Sequence, residues 1–411
     1  MSAAERWIPF RLRDLVDILA TESSEPERFR ELHRIVAAVV HHEYRQELER
    51  LKDAYAPFNP DADHRVIRTW SDDERTECQR VLVAALTDLV EAANYEAVGR
   101  EVLGGAVEGE SLLKLRLHVD LDDFDEILFF RRGLSRRTEE VSHLFGLRHK
   151  PVEFTNCARI LIYLKFRDAE HFEAAGRRDL PFEPGSTIIK LFQDVPRADL
   201  EMLLPNTEVR MRTTDKLVIG VPALLSGLVV LVTKVASSLG LLVLLVLFWV
   251  GVRDDEVDIG QTQLAAIALG LGSLLAFGWR QWTKFKNRRI QFMKTLSENL
   301  YFRNLDNDVG VFHHLLDAAA EEEIKEILLA LHFLTDGPET ADGLDERIEA
   351  WSAEHLDCVF DFDVRDALDK LGDLGLIEVR DDEHHAVSLD EARRRLDQRW
   401  DAYFAAPALP R

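Results

Sequence analysis

The residues Gly104 to Ser111 read GGAVEGES and have the glycine spacing of a phosphate-binding loop. In such a loop the backbone amides surround the phosphates, and a lysine directly after the last glycine reaches the outer ones. Glu110 stands at the lysine position in this chain. Since a carboxylate repels phosphate, we interpret the stretch as a turn between a helix and a strand and predict no nucleotide site there.

Pairs of adjacent histidines are the next groups that could do chemistry, as metal ligands. Adjacent residues on a helix point about 100° apart, so a pair cannot chelate one ion as residues four apart do. No HExxH motif and no matching ligand set lies near any pair. We therefore predict no metal site and no cofactor. The pairs are His41-His42, His313-His314 and His384-His385.

The motifs of common catalytic families are missing from the sequence. It has no GxSxG nucleophile elbow, no protein-kinase signature and no nicotinamide fingerprint. We therefore name no catalytic residue and favour a non-enzymatic protein.

The composition sets limits on the partners. Among 411 residues, 51 Lys and Arg stand against 74 Asp and Glu, which gives a formal net charge of −23. This surplus of acids argues against a nucleic-acid partner. Cys78, Cys157 and Cys358 lie far apart and form no CxxC pair, which predicts no disulfide framework and fits a reducing compartment. Residues 1–10 lack the apolar segment of a secretion signal, so we expect insertion to be directed by later apolar segments.

The most apolar part of the chain lies between Leu217 and Trp282. No charged residue occurs from Ile259 to Trp279, a length of about 31 Å as a helix, close to the roughly 30 Å of a bilayer core. We predict a membrane region over residues 216–282, with a helical hairpin that spans at about 235–252 and 259–279. The remaining piece, 217–233, is interfacial, re-entrant or part of a long tilted span.

Basic residues flank the predicted hairpin, and acids fill its connector. By the positive-inside rule both termini are cytoplasmic, in a multi-pass protein of the cell (inner) membrane whose partner is the lipid bilayer. Anionic headgroups are expected to contact Lys284, Lys286, Arg288 and Arg289, unless these bases only set topology during insertion. A small-residue stripe for helix packing is formed by Ala268, Gly272 and Ala276.

The segment before the membrane region, 1–215, predicts a cytoplasmic α+β domain. Apolar residues at helical spacing indicate a helix from Pro26 to Tyr55, and Ser71 to Glu74 form a capping box that opens a second helix. Alternation from Leu113 to Val119 then indicates a strand. Helices followed by a run of strands favour a largely antiparallel sheet. The further strands are expected at 126–132, 137–144, 158–167 and 187–193.

The segment after the membrane region begins with a basic juxtamembrane helix and linker, 283–309. Residues 310–411 then have the element order of a winged-helix-like α/β domain, with expected helices 321–335, 340–355 and 364–374, strands 376–380 and 386–389, and a closing helix 390–404. The third helix of such a module needs cations to enter DNA. Here Arg365 and Lys370 are outnumbered by acids, so we predict protein interaction or packing instead.

Several stretches resemble the domain of unknown function 3754 family, which includes the eukaryotic transmembrane protein 143. They read KLFQDVPRADLEMLLP at 190–205, DKLVIGVPALLSG at 215–227 and RQWTKFKNRRIQFMKTLSENLYFRNLDNDVGVFHHLLDAAAEEE at 280–323. The resemblance implies a two-span topology. It assigns no catalytic residue.

The sequence thus favours a non-enzymatic, membrane-anchored scaffold or adaptor with cytoplasmic protein-interaction domains. Its expected partners are the bilayer and a second protein or a second copy of the chain, with no nucleic acid. The alternative is a membrane-associated enzyme or transporter subunit that acts on a lipid or a small ligand at the membrane boundary. Converging acids and bases in a buried pocket would favour the enzyme.

Overall fold

The computed structural model describes residues 6–60, 67–99, 116–143, 148–210, 243, 247, 249–250 and 261–404. The chain divides into two compact units, of which the first comprises Met1–Leu112, Leu121–Leu200 and Arg303–Arg411. The second comprises Leu113–Asp120 and Glu201–Phe302. The segment expected to form a separate C-terminal domain therefore belongs to the same compact unit as the N-terminal helices.

The described helices and strands alternate in blocks, as expected for an α+β protein. The helices are α1 (Leu12–Glu22), α2 (Pro26–Tyr55), α3 (Asp72–Ala92), α4 (Ala169–Ala174), α5 (Gln261–Arg303), α6 (Val309–Asp336), α7 (Ala341–His355), α8 (Val364–Asp373) and α9 (Leu389–Tyr403). The strands are β1 (Glu96–Ala97), β2 (Arg116–His118), β3 (Phe124–His143), β4 (Arg148–Phe166), β5 (Thr187–Pro196), β6 (Glu208–Arg210), β7 (Asn304–Asn307), β8 (Ile377–Arg380) and β9 (Glu383–Ala386).

The main sheet has the strand order β1-β3-β4-β5-β7, and every neighbouring pair is antiparallel. Strands β3 and β4 form a long hairpin, with Phe129 opposite Ile162 and Leu134 opposite Cys157. Aromatic and branched apolar residues on these strands pack well against a pleated, half-buried surface. The predicted α+β class with a largely antiparallel sheet is confirmed.

The N-terminal helices begin where the sequence signals predict. Pro26 occupies the first turn of α2, where its missing N–H costs no helical hydrogen bond. Ser71 and Glu74 form a reciprocal capping box at the start of α3, with the Ser71 amide 2.9 Å from Glu74 Oε2. The side chains of α2 pack against α3 on one part of its length and against α9 on another.

Helix α6 lies at the centre of the first unit because its apolar residues point in nearly every direction, a pattern typical of a fully buried helix. One core joins its second half to α1, α2, α7 and α8, and a second joins its first half to α2, α3 and the main sheet. After α6, a backbone bridge between Glu339 and His384 and the β8-β9 hairpin complete the element order expected of a winged-helix-like module.

The second unit contains an antiparallel pair, β2 with β6, and all but the last residue of the 43-residue helix α5. Among the described residues, no helix has a stretch both long and apolar enough to cross a bilayer. The membrane part of the predicted fold class, and the predicted localisation as a multi-pass membrane protein, are therefore wrong. The predicted piece 217–233 and, apart from isolated positions, the span 235–252 lie outside the described residues.

The physical reason is visible in the second predicted span, 259–279. The helix begins at Gln261, and polar residues occupy its first turn. The uncharged apolar part left between Leu264 and Trp279 is roughly 24 Å long, shorter than the roughly 30 Å of a hydrocarbon core. The helix then continues into the basic segment without a break, to Arg303. Counting only charges overestimated the apolar length.

Candidate interaction surface

Charged side chains lie inside the protein along α6. Glu322, Glu323, Lys325 and Glu326 are 2, 6, 3 and 4% exposed, respectively. A buried charge without a partner costs several kcal/mol, so each must be neutralised by pairing or by keeping or losing a proton. All four have a polar partner on another part of the chain, and these contacts add to the apolar packing of α6 against its neighbours.

The first set of contacts holds the segment before α1. Glu322 accepts a hydrogen bond from the Ile8 amide at 3.0 Å, and the Lys325 ammonium donates to the Ile8 carbonyl at 3.1 Å. Lys325 and Glu322 also pair directly at 2.9 Å. The adjacent Glu321 accepts a hydrogen bond from the Leu12 amide at 2.8 Å, which satisfies one of the free N–H groups at the start of α1.

The second set of contacts connects α6 to α2 and α8. Glu323 accepts from the Tyr44 hydroxyl at 2.8 Å and pairs with the Lys370 ammonium at 3.3 Å. Burial raises the pKa of Glu323, and Lys370 and Tyr44 offset part of that rise. Burial alone would lower the pKa of Lys370, but the surrounding carboxylates of Glu323 and Asp366 outweigh it, so the pKa of Lys370 is raised. Lys370 is therefore charged in this pair.

The third set of contacts centres on the buried carboxyl of Glu326. Burial raises its pKa well above the ordinary glutamate value, and the nearby Asp366 raises it further. The Asn94 side-chain amide donates to Glu326 at 3.1 Å, and the carboxyls of Glu326 and Asp366 are hydrogen-bonded to each other. Two acids that share a hydrogen bond need one proton between them. Burial also raises the pKa of Asp366, the second acid of the pair.

These groups could exchange protons, but their geometry favours a structural role. A general acid or base must reach a substrate, and Glu326 is enclosed by α6, α8 and the turn at Asn94. Among the described residues, no group of three or more His, Cys, Asp and Glu is placed to hold a metal ion. The buried set is a charged brace that fixes α1, α2 and α8 on α6.

Acids also gather on the surface of the C-terminal module, and we call this cluster the acidic face. Its members are Asp342, Asp345, Glu349, Asp361 and Asp363, on α7 and in the connection to α8. Partial burial first, and then the other four carboxylates, raise the pKa of Asp345 to about 6. One Asp345 oxygen is buried without a hydrogen-bond partner. The cluster therefore concentrates negative charge that the protein itself leaves partly uncompensated.

Two of the acids in this face also have structural contacts. Glu349 accepts from the Phe362 amide at 3.2 Å, and Asp363 caps α8 by accepting from the Asp366 amide at 3.2 Å. Asp361 lies 3.9 Å from Arg6, a long contact between exposed groups. Asp342, Asp345 and Asp361 are therefore the members that are most available to an external cation.

The bases of α8 do not counter this charge. Lys370 is half-buried and pairs with Glu323. Arg365 is the exposed base on the helix that would read DNA in a nucleic-acid-binding winged helix. The sequence predicted this deficit of cations, but it did not reveal that Lys370 is taken by a buried acid. The prediction that the chain binds no nucleic acid stays a prediction.

The residues predicted as lipid contacts all lie on α5, where Lys286 is exposed. Contact of Lys284, Lys286, Arg288 and Arg289 with anionic headgroups stays a prediction. The predicted packing stripe, Ala268, Gly272 and Ala276, is exposed along the same helix. A Cβ added at Gly272 would meet no atom within 4 Å.

The histidine pairs have individual, structural neighbours. His42 packs against the Tyr403 ring at 4.5 Å between centroids, and His314 bonds the Asp306 carboxylate at 3.0 Å. The backbone of His384 bridges to Glu339. Sequence reasoning missed the buried charges of α6 because EEEIKE is typical of an exposed helix. The available signal was the apolar run ILLALHFL that follows, because it places apolar residues on every side of the helix and leaves no polar, solvent-exposed face.

Comparison with known proteins places a family domain in the middle of the chain. No solved structure matches it. Residues 158–310 match the family described as protein of unknown function (DUF3754), from β4 to the first residues of α6. The charged brace and the acidic face lie outside that segment, and the proposed likeness to the eukaryotic transmembrane protein 143 stays a prediction. Over residues 158–310, the chain therefore resembles the DUF3754 family of proteins of unknown function.

Proposed function

We propose that the protein is a non-catalytic scaffold whose C-terminal module binds a basic protein through the acidic face. The observation that carries the proposal is the concentration of four carboxylates around Asp345, whose pKa is raised to about 6 by partial burial first and then by these neighbours. Holding these charges together costs free energy in the isolated protein. A cationic partner would remove that cost on binding, which gives the face both affinity and selectivity for positive surfaces.

The charged brace supports the scaffold role because it sets the orientation of the face. Helix α7 packs on α6, and α6 is fixed to α1, α2 and α8 by the contacts of Glu322, Glu323, Lys325 and Glu326. A partner that docks on the face therefore meets a surface ordered in advance, which lowers the entropy cost of association.

The proposal is tested with a variant that keeps the shape of the face and removes charge: Asp342→Asn, Asp345→Asn and Asp361→Asn in one chain. Wild-type and variant proteins are used to capture partners from a native extract, and the captured proteins are then purified and titrated. We expect a basic protein whose affinity falls about ten-fold or more in the variant and decreases with salt.

The matched control removes three exposed acids elsewhere, with Asp53→Asn, Asp88→Asn and Glu91→Gln on α2 and α3. This control should bind the partner as the wild type does. A partner that binds both variants equally, or a wild-type protein that captures only acidic or neutral proteins, would overturn the proposal. Melting curves establish that both variants are folded.

A further inference from the structure

A cleft between α1 and α2, with α6 at its base, collects positive charge in this strongly acidic protein. Its volume is about 630 Å³, within the range of roughly 300 to 1,000 Å³ found for small-molecule sites. Leu12 and Val16 supply apolar wall, and the remaining lining is mostly polar. The cationic or titratable side chains are Arg11, Arg13, Arg30, His33, Arg34 and His41. We call this the arginine cleft.

The carboxylates in the lining do not neutralise the arginines evenly. Arg30 pairs with Glu27 at 2.9 Å and lies 3.8 Å from Asp17. Glu321 is taken by the Leu12 amide and by Lys325, at 2.8 and 3.8 Å. Among the described residues, Arg11, Arg13 and Arg34 form no ion pair, and the carboxylates left in the lining to face them are Asp317 and, beyond its long contact with Arg30, Asp17.

His33 adds a second polar group that the protein itself does not satisfy. Its Nε2 atom is buried and has no hydrogen-bond partner in the described structure. Burial lowers the pKa of His33, and the neighbouring Arg34 lowers it further. A neutral imidazole can present an N–H at Nε2, and a buried polar nitrogen is almost always hydrogen-bonded in a native protein. An anion in the cleft would accept that bond and offset the charge of Arg34.

We propose that the arginine cleft binds a phosphorylated small molecule, with Arg11, Arg13 and Arg34 around the phosphate and His33 as a further donor. Guanidinium groups match phosphate oxygens in forked pairs, and their charge persists at every physiological pH. The apolar wall at Leu12 and Val16 would hold the organic part. Glu321 already occupies the first amide of α1, so the side chains, not the helix end, supply the contacts.

The local positive charge of the cleft and the negative net charge of the whole chain together favour a small ligand. A small phosphate compound can enter the cleft and meet mainly local cations. A long polyanion such as RNA would also lie over the remaining surface, where the net charge of −23 repels it. This inference is independent of the proposed partner at the acidic face, which lies on α7 and the approach to α8.

The test is calorimetric titration of the full chain with inorganic phosphate, pyrophosphate and a panel of sugar phosphates. We expect saturable one-to-one binding of at least one of these probes. The variant Arg11→Gln with Arg34→Gln should bind about ten-fold more weakly or worse, since charged hydrogen bonds are lost. The control Arg178→Gln with Arg365→Gln removes two exposed arginines outside the cleft and should bind within about two-fold of wild type.

A second measurement keeps the proposal testable if the double variant is unstable. In NMR titrations of the histidine rings, a bound probe should raise the pKa of His33, because the phosphate stabilises the imidazolium. The single exposed variant Arg13→Gln should reduce that effect. Binding of RNA or a phosphopeptide without binding of any small phosphate would overturn the proposal. Equal loss of affinity in the cleft and control variants, or no saturable binding, would also overturn it.

Discussion

Glu326 shows how one buried carboxyl can connect stability to pH. Its folded-state pKa is raised well above the ordinary value of 4.5, first by burial and then by Asp366. A group whose folded pKa is raised contributes full stability below its unfolded pKa, and that contribution is lost as pH rises through the folded pKa. The free energy of unfolding should therefore fall as the pH rises above 4.5, because the buried Glu326 carboxyl resists losing its proton.

Glu326→Gln should remove that dependence. A glutamine keeps an acceptor for Asn94 and a donor for Asp366, but it carries no proton to lose. We expect the variant and wild type to be similarly stable near about pH 5, and the variant to be the more stable near about pH 8. Urea unfolding at both pH values measures the difference. The exposed control Glu91→Gln should show no such trend, and a parallel pH profile for Glu326→Gln and wild type would contradict the assignment.

Lys325 gives a prediction of the opposite kind, because its loss leaves charge behind. Lys325→Met strands the Glu322 carboxylate and the Ile8 carbonyl in the core. Removing one partner of a buried pair costs about 3 to 5 kcal/mol. In the double variant with Glu322→Gln, at least about half of that loss should return, because no charge is stranded. Denaturant unfolding of the four proteins in the cycle checks this, and a loss below about 1 kcal/mol for Lys325→Met would count against the brace.

At this scale the candidate site was largely beyond sequence reasoning. The lack of cations on α8 could be predicted from composition alone. The pairing of Glu323 with Tyr44, or of Glu322 with the Ile8 amide, joins residues 279 and 314 positions apart. Nothing local in EEEIKE distinguishes a braced core from a solvated face. The same holds for the arginine cleft, whose cations come from two helices and stand apart in the sequence.

Among the elements, strand β3 carries an unusual glycine. Gly133 has a φ of +75°, and a Cβ there would lie 2.6 Å from the Cβ of Ala158 on β4. Gly133→Ala should therefore combine backbone strain with overpacking and cost about 2 to 4 kcal/mol. Gly176 is the matched control, since it has a φ of +71° but open space around the added Cβ. Gly176→Ala should cost only about 1 kcal/mol. Equal losses of unfolding free energy would remove the steric part of the argument.

The helices and the strands differ in how well their bounds could be predicted from the sequence. Helices α2 and α3 could be predicted because proline and the capping box mark their starts locally. The segments predicted as separate strands, 126–132 and 137–144, form one strand, β3. Glycine normally suggests an interruption, but here it lets two strands approach closely. Whether Gly133 interrupts the strand or permits a close approach depends on the position of Ala158 on the partner strand. The periodicity of the sequence carries no information about that position.

At the scale of the whole molecule, α6 makes the first unit continuous. Its first half shares a core with α3 and the main sheet, and its second half shares another with α1 and the C-terminal module. Tyr44 and Tyr55 lie on the same helix, α2, and bond Glu323 and Asp308 near opposite ends of these contacts. The domain boundary expected at residue 310 therefore falls just inside a helix that both halves need.

This arrangement predicts that residues 310–411 alone do not form a stable domain. Without the rest of the chain, Phe312 and Leu315 lose their contacts with the sheet and α3, and Leu328 loses its contacts with α1. Burial of each such side chain stabilises the fold by about 1.5 to 3 kcal/mol. The isolated segment should therefore unfold without a cooperative transition and bind a hydrophobic dye. The full chain should unfold cooperatively and should not bind the dye. Adding a separate chain of residues 6–55 should restore part of the cooperativity, because α1 and α2 cover one side of α6. A cooperative transition in the isolated segment, as stable as in the full chain, would show that α6 needs neither neighbour.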